Sequence, residues 1–266
     1  MSQLLPHHHT SPPSGGQRHT TLQAQLQALT GSAGALSHRD FADKLGQLIG
    51  LSNAIALSES LRSLKRLGPK GDAGAGSLHR ELLTARGEIL GFIVNSFVDE
   101  DSTEEGAPSL PFILPRPPTD SIDEPAEAYK AYQRFYALHQ SEMDYRLIAL
   151  RKHMQQVLTA RSAALAQLAE LDRSLTETLG DYSRRVLASI PRLLGQRFHA
   201  LIRAQIEQDT ALAPNEVFAQ WVAAGGGLQQ FLAEMRGLLI AELDMRLMPL
   251  IGLLEALDVE VENNND

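Results

Sequence analysis

Between Pro125 and Gly180 the chain contains neither glycine nor proline, and over most of that stretch apolar residues return every three or four positions. Such a run leaves no room for the turns a sheet requires, and its period lays one apolar stripe along a helix that must pack against other helices. The stripe reads Met143, Leu147, Leu150, Met154, Val157, Arg161, Ala164, Leu168 and Leu171, with a guanidinium at one core position. A buried, unpaired Arg161 would be costly, so either its head reaches outward or the helix is interrupted at Thr159–Ser162. Ser162 is a competent N-cap. Two forms therefore stand side by side: one rod of about 95 Å, or a helical hairpin turning near Ser162.

Downstream the spacing changes to Leu168, Leu171, Leu175, Leu179, Tyr182, Val186 and Ile190, where an 11-residue repeat unwinds a left-handed supercoil locally. Pro191 kinks or restarts the chain, and a further helix carries Leu194, Phe198, Ile202 and Ile206 on one face. Pro214 opens a short helix with Phe218 and Trp221, broken by Gly225–Gly227. Leu228 to Leu257 is apolar around much of its circumference, which places it inside the bundle with Pro249 as its kink. Tyr129, Tyr132 and Tyr136 read as a core seam before a ligand cage.

Upstream, Leu22, Leu26 and Leu29 mark a short helix. Phe41, Leu45, Leu48 and Ile49 mark a second, and Leu57, Leu61 and Leu64, after Ser52 or Asn53 as cap, mark a third. Gly68–Ser77 reads as a flexible linker. Leu78, Leu82, Ile89, Ile93 and Phe97 follow as a fourth helix. The segment Asp99–Glu124 holds eight acids and one base, and the tail Glu255–Asp266 five acids and no base, so a chain of net charge −8 has a mildly basic remainder. Within the acidic segment, prolines bracket one apolar island, Leu110–Leu114. It either pins the segment onto the body or serves as a docking motif for a partner.

With aromatics at only 5% of 266 residues, the expected fold is all-α: an elongated antiparallel helical bundle or coiled-coil-like hairpin. The expected organisation is a disordered start over 1–20, a small N-terminal helical subdomain over 21–98 and an acidic proline-rich linker over 99–124. A long-helix bundle over 125–257 and an acidic tail over 258–266 complete it. The most apolar stretch, Leu238–Leu257, is interrupted by Glu242, Asp244, Arg246 and Pro249, so no membrane-spanning helix is expected. No signal-peptide core is visible, and zero Cys exclude a disulfide or thiolate chemistry, which makes the cytoplasm the expected location.

Chemical motifs are sparse. His7, His8 and His9 form a loose metal-binding run at most, and His139 and His153 stand too far apart along one helix to share an ion. Glu-x-x-His pairs, HExxH and a Walker loop are absent from the sequence. No cofactor and no enzymatic activity are expected. The surface feature with functional content is basic: Arg184, Arg185, Arg192, Arg197, His199 and Arg203 are candidates for holding phosphates or an anionic surface, although the overall charge disfavours nucleic acid.

Four stretches carry a resemblance: Phe41-Ala-Asp-Lys-Leu-Gly-Gln47, Asn53-Ala-Ile-Ala-Leu-Ser58, Ala160-Arg-Ser-Ala-Ala-Leu-Ala166 and Leu243-Asp-Met-Arg-Leu-Met-Pro-Leu-Ile-Gly-Leu-Leu-Glu-Ala-Leu257. Together they resemble an uncharacterised family of proteobacterial helical proteins, the domain of unknown function 3348. The family pattern has tryptophans where this chain has Leu48 and Leu51, and a proline at Ala163. A proline there would be a first-turn residue, so the resemblance favours the hairpin. It brings no activity and no catalytic residue; by gene neighbourhood its members look like companions of cell-envelope proteins. Two function classes follow as expectations. One is a helical scaffold or adaptor, expected to act as a homo-oligomer or with an envelope-associated protein partner. The other is a polyanion-binding module using the Arg184–Arg203 strip.

Overall fold

The computed structural model describes residues 75–98, 112–116, 125–209 and 212–263. The three helices expected before Gly68, the linker to Gly74, His7–His9 and most of the acidic segment lie outside the described residues. Those described are built from helices α1 (Ala75–Asn95), α2 (Pro125–Arg161), α3 (Ala163–Leu187), α4 (Ile190–Gln208), α5 (Pro214–Val222) and α6 (Gly227–Asn263), with no strand among them.

The hairpin is the form adopted. Ser162 alone separates α2 from α3; its backbone is extended, at φ −152°, and its hydroxyl accepts the Leu165 N–H at 3.2 Å. That side chain satisfies a donor at the start of α3 that has no partner within the helix. The two arms run antiparallel: the Gln155 amide donates to Asp172 at 2.8 Å, and Arg151, one turn back on α2, donates to the Thr176 hydroxyl, one turn on along α3. Arg161, the misfit of the predicted seam, ends α2 half-buried.

A second discontinuity lies between α3 and α4. Pro191 has no N–H for the carbonyl of Leu187, four residues earlier, and the Gln140 amide of α2 fills that place at 3.0 Å. Beyond the break α4 stays on α2, where Gly195 lets it approach closely. A Cβ there would stand 2.7 Å from a ring carbon of Tyr129, whose hydroxyl donates to the Pro191 carbonyl.

α6 lies beside α2 and parallel to it, for Tyr132 meets Phe231 while Asp144 meets Arg246. α1 runs antiparallel to both: Phe92 meets His139 and Glu81 meets His153 on α2, while Arg86 meets Asp244 and His79 meets Asp258 on α6. One core joins these elements. Leu78, Ile89 and Ile93 of α1 share it with Tyr132, Met143 and Met154 of α2 and with Phe231, Leu243 and Leu250 of α6. α1 was grouped by sequence with a separate N-terminal subdomain; it is instead a full layer of the bundle, because its stripe fits the furrow between the two longest helices. α6 runs through Pro249 and past 257 to Asn263, with Val261 packed on the core, so the expected tail is largely the helix's last turns.

The apolar island pins the acidic segment to the body. Phe112 sits edge-on to Phe92 at 5.0 Å between centroids, and Leu114 packs on the core while Ile113 is 60% exposed. Within α3, the sequence places Leu175 and Val186 on the apolar face, yet they are 37% and 44% exposed. α3 buries chiefly Leu165, Ala166, Ala169, Ser174 and Leu187.

Candidate functional site

Charged groups are drawn into the bundle where α2 meets α6. Glu242 interrupts the apolar run of α6 and is fully buried, yet both carboxylate oxygens are occupied. The Tyr136 hydroxyl donates to it at 2.9 Å, the Gln140 amide at 3.0 Å, and Arg246, one turn on along α6, at 2.6 and 2.9 Å. Arg246 reaches on to Asp144 of α2. Burial and the neighbouring carboxylate hold the Tyr136 phenol well above its ordinary pKa, so it remains a donor. With every acceptor position engaged, the cluster ties α2 to α6 in one register, and through the Gln140 bond to Leu187 it ties in the α3–α4 break as well.

One turn from Tyr136 lies a different kind of polar group. His139 is fully buried among Phe92, Phe97, Phe112 and Phe135, with ring centroids 4.4 to 6.3 Å away. Its Nδ1 donates to the Phe135 carbonyl at 2.9 Å, while Nε2 has no partner among the described residues. Desolvation lowers its pKa and keeps the ring neutral. Phe112 makes the box depend on the pinned acidic segment.

The basic candidates do not converge. Arg184 is 68% exposed and paired with Asp181, and Arg185 donates to the Asp181 carbonyl at 3.2 Å. Arg197 points away from the others and forms a two-pronged bond to Glu234 of α6, at 2.7 and 2.8 Å, which raises its pKa. The sequence grouping of Arg197 with the strip is thus corrected: at about 100° per residue it stands across the helix from Arg192 and Arg203. His199 lies against the Tyr129 and Phe198 rings, with Nε2 buried. Only Arg192 and Arg203, with Gln196 between them, are left as an exposed, outward row.

Sequence reasoning placed the three tyrosines correctly in the core, where they are at most 6% exposed. It missed the Glu242 cluster, noting Glu242 and Arg246 only as interruptions of an apolar stretch. A signal existed: an acid and a base one turn apart inside a helix otherwise apolar all round must find partners on its neighbours. Among the described residues there is no group of three His, Cys, Asp or Glu that could hold a metal ion, and no helix long and apolar enough to cross a membrane. No curated protein and no solved structure shows significant similarity to the chain. The model of a protein family of unknown function, DUF3348, matches residues 7–259, nearly the whole sequence; the chain belongs to that family.

Proposed function

We propose that this protein is a non-enzymatic helical scaffold or adaptor of the cytoplasm, which works by packing a helix of a second copy, or of an envelope-associated partner, against its own bundle. The observation that carries the reading is the outward face of α2. Leu138, Tyr145 and Ile148 are 40%, 75% and 67% exposed there, at positions seven and three residues apart. Large apolar side chains at that spacing form a seam of the kind that receives another helix. The interior supports the same reading, since its charged groups are engaged with one another and specify register.

Self-association is the form to test first. Sedimentation of the wild-type chain over a hundredfold range of concentration should reveal a dimer or higher assembly that Tyr145→Lys with Ile148→Lys dissolves without loss of helix content. A wild-type chain monomeric throughout would remove self-packing.

The polyanion reading is favoured by one observation, Arg192 and Arg203 standing exposed on a single face of α4. Counterion release would give binding whose logarithm falls with the logarithm of salt by about 0.9 per phosphate contacted. A vesicle or oligonucleotide titration showing no binding at low salt would dismiss it.

A further inference from the structure

His139 is wholly buried, yet its Nε2 has no hydrogen-bond partner among the described residues. With Nδ1 donating to the Phe135 carbonyl, Nε2 is the bare acceptor of a neutral ring, boxed by Phe92, Phe97, Phe112 and Phe135. A proton there makes it a charged donor to which the box offers no acceptor. No charged group on the surrounding elements fills that place. On α2, Glu142 is bound to Arg146 at 2.7 Å, and Arg146 lies over the Phe92 ring, 5.2 Å from its centroid. On α1, Glu88, one turn before Phe92, is exposed, and Arg86 is bound to Asp244. On α6, Glu242 is filled by Tyr136, Gln140 and Arg246. The segment 112–116 adds only another cation, Arg116. Glu142 favours a charged ring, but burial outweighs it.

The four phenyl rings are not held alike. Phe92 belongs to α1 and Phe135 to α2, and the Phe97 N–H donates to the Val94 carbonyl at 3.2 Å. Phe112 belongs to no helix, and among the described residues no backbone hydrogen bond joins 112–116 to the body. Pro115 has no N–H to give. The segment is held by Phe112, edge-on to Phe92 and His139, and by Leu114 on the core. Water therefore reaches a charged His139 at least cost when Phe112 leaves.

We propose that residues 112–116 are an acid-released latch: a proton on His139 frees Phe112 and Leu114 from the body while the helices stay packed. Release opens an apolar hollow lined by Phe92, Phe97 and Phe135, whichever chain the α2 face receives. The docking equilibrium falls by up to about tenfold per pH unit below about 6.5, where an undocked imidazole titrates. Two other histidines act in the opposite sense. His79 faces Asp258 and His153 faces Glu81, so a proton on either makes an ion pair that holds α1 in place.

Because the chain has zero Cys, single thiols report on the segment directly. Ile113 is 60% exposed while Leu114 packs on the core. The ratio of the labelling rates of full-length Ile113→Cys and Leu114→Cys therefore measures docking, and it cancels the pH dependence of the reagent. With dithiodipyridine the ratio should be about tenfold or more at pH 7.5 and should fall about fivefold or more by pH 5, with helix content unchanged. Adding His139→Phe, or the smaller His139→Leu, should hold the ratio at its pH 7.5 value throughout. A ratio near one at pH 7.5, or one that acid leaves unchanged, would overturn the inference. An equal fall in both neutral variants would assign the response to other groups and overturn it, as would a fall that comes with loss of helix.

Discussion

His139 and Glu242 are both wholly buried, on helices that touch, and they solve the same electrostatic problem in opposite ways. Glu242 gathers donors from Tyr136, Gln140 and Arg246, so the burial of a carboxylate is offset by hydrogen bonds in a low dielectric. His139 has one bond and a box of phenyl rings, so its burial is tolerable only while the ring is uncharged. A buried charge has to recruit a network, whereas a buried neutral polar group needs only shape and one partner. The first arrangement fixes register and the second leaves the pinning of Phe112 sensitive to protons.

The contrast can be broken most forcefully at the carboxylate. Glu242→Ala strands Arg246 with only Asp144 and leaves Tyr136 without its acceptor, and should cost about 3–5 kcal/mol in denaturant unfolding. Replacing Glu242 by Leu and Arg246 by Met together should recover most of that loss, because the stranded charge goes as well. Tyr136→Phe removes one bond to an ionised group and should cost about 1.5–3 kcal/mol by the same measurement. Gln140→Ala opens the bond at the α3–α4 break and should cost about 1–3 kcal/mol, with the loss also seen as faster hydrogen exchange at the start of α4.

His139 should respond least at neutral pH and most distinctively to acid. His139→Phe should change stability by less than about 1.5 kcal/mol at pH 7–8, since ring replaces ring. For the wild type the sign is set by a folded-state pKa below the ordinary 6.5. The unfolded chain then binds the proton more readily, so this residue's contribution to stability is intact above about pH 6.5. It is lost as pH falls from there toward the lower folded value. His139→Phe should flatten that part of the curve; an unchanged slope between pH 7 and 5 would show that His139 is not the group responsible.

How much of this was legible beforehand depended on whether a feature was local. The Ser162 turn was legible as one of two forms, because an Arg at a core position of α2 next to a capping residue is a contradiction within one helix; the structure chose the hairpin over the rod. The Pro191 break was legible as a break, but its repair by Gln140 was not, since the donor lies 47 positions away from the carbonyl it serves. Arg197 was misplaced among the basic strip because sequence proximity was taken for a shared face; Glu234, which draws it the other way, belongs to another helix. The exposure of Leu175 and Val186 was not foreseen, since an apolar period says that a stripe wants cover without saying from where.

Among the described residues, the sequence by itself determined the class of fold, the helices and most of their ends, because periodicity, caps and prolines act within a few residues of themselves. It also determined that Tyr129, Tyr132 and Tyr136 would be inside. Only the tertiary structure decided that α1 joins the main core and that the charges of α6 close onto α2. It alone parted Arg197 from Arg192 and Arg203. Each of these depends on which two helices lie side by side, and that is set by the fit of whole faces across the bundle rather than by any stretch of chain.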